Sequence, residues 1–286
     1  MKNKLLKNKV AIISGSSMGI GEAIANELAK NGAKVVLNGR DLEKLENTET
    51  KMKQKGYNVL AIAADVRYPE QCRYLINETI KRYSKIDILV NNAAMSSRGA
   101  VEEMAESNFK VLIETNYTGC AYMSKYAIPY LKKTKGHQIF INSVGGLRGM
   151  PYNSAYTASK MAQAALADAL RIELYDSGIH IGLVYVGFTE NDSRKTILDV
   201  DGSLVYLPKR KNIHLATQQS VARCVCLMIE KRKNRTVLTG LGYFADFMIQ
   251  YFPKLSDWII LLNRQKIKDD FTFVEDEKIL EIKKRQ

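Results

Sequence analysis

Between Lys9 and Gly32 the chain passes from an apolar run, through a cluster of glycines, into a helical pattern. Residues 9–14 (Lys-Val-Ala-Ile-Ile-Ser) read as a buried strand, being short, continuous and β-branched. Gly15-Ser-Ser-Met-Gly19-Ile-Gly21 follows, and 22–30 reads as a helix that stops at Gly32. Few folds accept that order. Without Cβ atoms the turn's backbone can approach a pyrophosphate, and the free N–H groups at the helix start attract its charge. Strand, glycine turn and helix in succession are the setting of a dinucleotide-binding fingerprint.

The rest of the chain repeats the theme. Strand patterns at 33–38, 57–64, 86–90, 138–142, 179–185 and 236–239 alternate with helical patterns at 41–55, 69–82, 104–133 and 218–233. This predicts an α/β Rossmann-type doubly wound parallel sheet of about seven strands with helices on both faces. Pro129 is the candidate break in the long 104–133 pattern. Gly39-Arg40-Asp41 closes the second strand, where an arginine suits the 2′-phosphate of NADP and a carboxylate suits NAD. Asp41 also reads as a helix N-cap. Asp65-Val66 and Asn91-Asn92-Ala93-Ala94 close two further strands, on the crevice side of such a sheet.

Tyr156 and Lys160 stand four residues apart at the start of a helical pattern free of Pro and Gly until Gly178. On a helix they share one face. A tyrosine with a pKa of about 10 is a poor base at neutral pH, and a neighbouring cation lowers that pKa. At an effective dielectric of about 20, unit charges about 4 Å apart interact by about 4 kcal/mol, equivalent to roughly three pH units. That brings the phenol into the range of general acid/base work.

With these pieces placed, the sequence resembles the short-chain dehydrogenases/reductases over roughly 7–242. Ser14-Gly15-Ser-Ser-Met-Gly19-Ile-Gly21 looks like the family's TGxxxGxG, and Asn91-Asn92-Ala93-Ala94 like its NNAG. Asn116, Ser143, Tyr156 and Lys160 fall where the family keeps its Asn-Ser-Tyr-Lys tetrad, with Ser143 thirteen residues before Tyr156. Two positions depart: Val186-Gly187 replaces the family's Pro-Gly, and Asn191 holds the place of a hydroxyl residue, with Thr189 nearby.

The resemblance implies a catalytic set of Asn116, Ser143, Tyr156 and Lys160. Ser143 would hold the substrate carbonyl, Tyr156 exchange the proton, Lys160 hold the nicotinamide ribose, and Asn116 hold a relay water. It implies cofactor contacts from Gly15, Ser17, Gly19, Ile20, Gly21, Arg40, Asp65, Val66, Asn92, Ala93, Tyr156, Lys160, Gly187 and Thr189, and no metal. Gly39-Arg40 looks like the NADP-preferring members, with NAD(H) the second choice. Family members form homodimers or homotetramers, and the alanines at 158, 162, 165 and 169 suit close helix packing.

Past residue 189 the pattern becomes individual. Asp201-Gly202 between apolar residues suggests a hairpin, either a lid over a greasy substrate or a plain folded insertion. Residues 1–242 form the expected nucleotide-binding domain and 243–286 a C-terminal helical extension. In 243–262 the polar residues Asp246, Gln250, Lys254 and Asp257 make one narrow stripe on an otherwise apolar helix pair bent at Pro253. That stretch packs on its own subunit, on a partner subunit, or peripherally in a membrane interface. Residues 269–286 read as a charged, frayed terminal helix.

Composition narrows the choices. The chain has 286 residues and is 46% hydrophobic, enough for a large core and against disorder. No uncharged apolar run reaches spanning length, and the basic start does not lead into a cleavable signal. Four cysteines lack metal or disulfide spacing, so a cytoplasmic location is expected, with a peripheral membrane contact as the variant. The net charge is +13, and eight Lys/Arg from Lys209 to Arg235 face Glu230 alone. Nucleic acid is disfavoured because that block lacks interleaved aromatics.

The expected activity is therefore NADP(H)-dependent interconversion of a ketone and a secondary alcohol on a small apolar substrate of steroid, sphingoid or long-chain acyl type. Two alternatives stand beside it. One is a 3-oxoacyl thioester reductase; the other is a non-catalytic, nucleotide-binding, membrane-peripheral sensor or assembly subunit.

Overall fold

The structure, a computed structural model, describes residues 5–190, 192–206 and 215–272. Strands β1 (Val10–Ile13), β2 (Lys34–Gly39), β3 (Val59–Ala63), β4 (Ile88–Asn91), β5 (His137–Ser143) and β6 (His180–Val186) share one sheet. Strands β7 (Thr196–Leu198) and β8 (Leu204–Tyr206) pair antiparallel apart from it, and β9 (Arg235–Val237) returns to its edge. The seven-stranded order is β3-β2-β1-β4-β5-β6-β9, parallel throughout. Parallel strands need crossovers, and the helices that supply them cover both faces.

Adjacent residues of one strand feed opposite cores. Ile13 joins Val35, Leu37, Val90 and Ile139 on one face; Ile12 joins Val36, Leu89 and Phe140 on the other. Helices α1 (Gly19–Lys30) and α2 (Leu42–Gln54) lie on the first face. Helix α3 (Pro69–Tyr83) lies on the second. The order reverses at β1, which pairs with β2 on one side and β4 on the other. A crevice therefore opens beyond the carboxyl ends of β1 and β4.

The 104–133 pattern holds a finding that the sequence did not announce. Helices α4 (Glu106–Ile113) and α5 (Gly119–Thr134) are joined by a π-helical segment, Glu114–Thr118. Pro129 lies inside α5, so the irregular turn is at Asn116 instead. The cause is tertiary. The Asn116 amide accepts from the Met95 N–H (2.8 Å) and donates to the Met95 carbonyl (2.9 Å) and to Ser159 Oγ (2.8 Å). A wider turn lets this side chain face fully inward.

Helix α6 (Ser154–Glu173) packs beside that segment, and α7 (Gln218–Lys231) packs on α1. The Asp201-Gly202 hairpin forms as β7–β8, with Gly202 at φ +86°. It docks on the chain after β4, since the Leu198 N–H donates to the Ser96 carbonyl (2.8 Å) and the Ala105 N–H to the Val200 carbonyl (2.8 Å).

Three helices end the described chain: α8 (Gly240–Tyr251), α9 (Pro253–Leu262) and α10 (Arg264–Thr272). The bend falls at Pro253, as its ring requires. The polar stripe turns inward. Asp246 is 6% exposed and takes both Nη atoms of Arg235 at 2.7 Å, while Asp257 pairs with Arg148. The apolar residues face out, with Tyr243 68%, Tyr251 66%, Trp258 56% and Leu262 59% exposed. No helix among the described residues is long and apolar enough to cross a membrane. The terminal helix expected at 269–286 lies outside the described residues from 273 onward.

Candidate active site

Gly15 and Gly19 sit at φ +63° and +61°, a region that L side chains rarely adopt. At Gly21 contact is the constraint: a Cβ there would lie 2.2 Å from the Gly15 carbonyl oxygen. Two side chains hold the turn. Ser14 Oγ accepts from the N–H groups of Asn92 and Ala93, each at 3.0 Å. Asn92 Nδ2 donates to the carbonyls of Ser14 (2.9 Å) and Gly15 (2.8 Å). Asn92 thus braces the cradle with its side chain, and Ala93 does so through its backbone.

The other expected cofactor residues surround this turn. The Ser17 carbonyl accepts from Thr48 Oγ1 at 3.1 Å, and Ile20 packs against the core of the first sheet face. Arg40 is exposed at the end of β2, its Nη1 3.9 Å from Met95 Sδ. Asp41 accepts from the Lys44 N–H at 3.1 Å, which is the N-cap role. Burial disfavours the charge of Asp65, yet the Arg67 guanidinium, bonded at 2.6–3.1 Å, holds its carboxyl below the usual range. Val66 is buried so close to α5 that a Cβ on Gly119 would stand 2.7 Å from its Cγ2. A Cβ on Gly187 would stand 2.5 Å from Thr239 Oγ1, and Thr189 Oγ1 donates to the Gly187 carbonyl at 3.1 Å. Asn191 lies outside the described residues.

One neighbour was not anticipated. Asp192 Oδ2 accepts from the Gly19 N–H (3.1 Å), and Arg194 ties Asp192 to Glu22. An acidic residue shortly after the sixth strand was the only signal, and it is faint.

The four residues expected to carry the chemistry are brought together around α6. Ser143 ends β5, and its Oγ accepts from the Gly145 N–H at 3.1 Å. Asn142 joins strand to helix, its amide donating to the Lys160 carbonyl at 2.8 Å. Ser159 Oγ donates to the Tyr156 carbonyl (2.7 Å) and accepts from Asn116. Lys160 is 1% exposed, and its Nζ donates to the Ile141 carbonyl (2.9 Å) and Gln163 Oε1 (3.3 Å). Burial lowers its pKa to about 8. A lysine so placed holds a charge only by virtue of these oxygens. Ser159 and Gln163 escaped sequence reasoning. The available signal was a lone Gln three residues beyond Lys160 inside an alanine-rich run.

Comparison with known proteins agrees with this arrangement. The short chain dehydrogenase family profile matches residues 9–201. The 11-beta-hydroxysteroid dehydrogenase of Pinus massoniana is 34% identical over 262 residues, covering 88% of this chain and 73% of that protein. The 11-beta-hydroxysteroid dehydrogenase A of Arachis hypogaea is 32% identical over 262 residues, covering 89% and 75%. Among solved structures, the alcohol dehydrogenase of the archaeon Thermococcus sibiricus, complexed with 5-hydroxy-NADP, superposes with a TM-score of 0.71 at 27% identity. It covers 80% of this chain and 95% of its own. With the glycine cradle, the parallel sheet and the family match in agreement, this chain belongs to the short-chain dehydrogenase family of oxidoreductases.

Proposed function

We propose that the protein uses NADP(H) to interconvert a ketone and a secondary alcohol on an apolar substrate. The observation that carries this reading is Lys160, fully buried one helical turn from Tyr156. The glycine cradle fits a dinucleotide, because Cβ atoms at Gly15 and Gly21 would fill the space a pyrophosphate needs. Arg40, exposed at the tip of β2, suits a 2′-phosphate.

When bound, the nicotinamide supplies or takes the hydride. In the reductive direction Ser143 Oγ donates a hydrogen bond to the substrate carbonyl, and Tyr156 passes its phenolic proton to that oxygen as the carbon becomes C–H. The Lys160 ammonium favours the phenolate that remains and holds the ribose hydroxyls. Asn116 fixes the chain after β4 through both bonds to Met95, and so shapes the wall of the crevice.

The apolar character of the substrate follows from the hairpin. Ile197, Leu198 and Val205 are buried, and Leu198 packs with Met104, Leu112 and Ala155. The steroid named for the Pinus massoniana relative is of this type. Self-association through the outer side of α6 fits its exposed Ala158, Met161, Ala165, Ala169 and Ile172.

Fluorescence titration with NADPH and NADH tests the reading. Wild type is expected to bind NADPH at least about tenfold more tightly, and Arg40→Ala to remove most of that gap, about 1.4 kcal/mol. Turnover of apolar ketones with NADPH should follow. Binding of neither cofactor would return the non-catalytic alternative to first place.

A further inference from the structure

Gln163 is fully buried, and each end of its amide meets a residue of the catalytic set. Oε1 accepts from Lys160 Nζ at 3.3 Å; Nε2 donates to the Asn116 carbonyl (3.2 Å) and to Cys120 Sγ (3.1 Å). The orientation of the amide is fixed by its partners. An ammonium has only donors and a carbonyl only accepts, so a flipped amide would oppose both. The π segment is part of this arrangement, since it carries the Asn116 carbonyl that Gln163 reaches.

We propose that Gln163 is a positioning residue: its amide bridges Lys160 to the Asn116 carbonyl, fixes the ammonium one turn from Tyr156, and so sets the pH at which Tyr156 works. The surroundings leave this task to few groups. The contacts of the Lys160 Nζ are two neutral oxygens, from Ile141 on β5 and from Gln163 on its own helix. The titratable and charged groups acting on it are Cys120 of α5, Lys195 of the chain between β6 and β7, and Tyr156 itself. Cys120 is kept as a thiol by complete burial, and Lys195 disfavours a second cation. Removing the Gln163 acceptor therefore lowers the lysine's proton affinity. A neutral Lys160 no longer favours the phenolate, and Tyr156 then titrates higher.

An amide also differs from a water in that position. It holds its donor and acceptor ends on fixed partners, and it cannot hand a proton from one side to the other without leaving its stable tautomer. The bridge from Lys160 to Asn116 therefore orients groups and does not relay protons. The relay water expected behind Lys160 meets a side chain already bonded to the Asn116 carbonyl.

The kinetic part rests on the proposed dehydrogenase activity, so the test has an independent arm. Protein labelled with 13C at lysine Cε is titrated by NMR without cofactor, the Lys160 signal being the one lost in Lys160→Met. Gln163→Leu and the near-isosteric Gln163→Met are expected to lower the Lys160 midpoint by about one pH unit or more. Gln163→Ser, with room for a water between Lys160 and Asn116, should return it to within about half that shift. In alcohol oxidation the rise of kcat/KM with pH should move upward in the Leu and Met variants and recover in the Ser variant. An unchanged Lys160 midpoint in folded Gln163→Leu and Gln163→Met overturns the proposal. A shifted midpoint in a protein that turns over no ketone would leave Gln163's role standing and defeat the dehydrogenase reading alone.

Discussion

Helix α6 and the pair α8–α9 both violate the usual distribution of polar and apolar residues, in opposite senses. Along α6, Ser159, Lys160 and Gln163 are buried while Met161 and Ile172 face out. On α8–α9 the aromatic residues face out, and Asp246 and Ser256 are turned in. The difference lies in what satisfies each violation. The buried groups of α6 satisfy one another and the ends of β5 and α5, as a site held ready for chemistry must. The inward acid of α8 is matched by Arg235, but nothing within the chain covers the outward aromatics. The first arrangement is complete in one subunit; the second points outside it.

The largest expected effect tests the α6 side. Tyr156→Phe keeps the ring and removes the proton donor, so kcat for ketone reduction should fall by about 10² to 10⁴-fold with the fold intact by circular dichroism. A loss of less than tenfold would mean that the buried lysine serves structure alone.

Next in size is the ion pair beneath α8. Asp246→Ala strands Arg235 and frees Gln250, and is expected to lower unfolding free energy by about 1–2 kcal/mol in urea titration, discounted because Arg235 is partly exposed. Asp246→Asn should recover part of that. An unaltered midpoint would show that α8 is held only by contacts outside the chain.

A third cluster serves as the control, being buried and polar but far from the site. His137 and His180 meet at 3.1 Å between Nδ1 atoms at the amino ends of β5 and β6. Burial, then the neighbouring His180, pushes His137 down to about 3. The folded pKa is depressed, so the unfolded chain takes up a proton that the folded chain refuses. Stability is lost as pH falls from about 6.5 toward 3. His137→Asn should flatten that slope in thermal melts and leave ketone turnover unchanged.

The smallest effect on stability has the clearest effect on association. Phe247→Ser with Trp258→Ser should change unfolding free energy by no more than about 0.5 kcal/mol per site, since both side chains are exposed. Co-sedimentation with anionic vesicles and sedimentation velocity then separate the two coverings. Loss of vesicle binding assigns the face to a bilayer interface, and loss of a larger species assigns it to another subunit.

The sheet was legible because its signals are local. Each strand is a continuous apolar run closed by polar or glycine residues, and Gly15, Gly19 and Gly21 mark their own turn. Tyr156 and Lys160 were legible for the same reason, four residues apart on a regular helix. What escaped depends on distant partners. Arg235 and Arg148 decide that the stripe of α8–α9 faces inward, and neither is marked in the local pattern. The irregular turn at Asn116 arises from Met95 and Ser159, which no window around Asn116 contains. Gln163 acquires meaning only when α5 lies beside α6.

The π segment also governs how the gene for this chain can be edited. A wide turn accommodates one residue more than a regular one, so deleting any single codon within 114–118 would let the helix close to ordinary geometry. Everything after it would then rotate by about 100° about the helix axis. Cys120, Met123, Ala127 and Leu131, all buried against the sheet, would swing away together. Substitutions at the exposed positions of this region are tolerable one at a time, whereas a deletion moves the whole of α5.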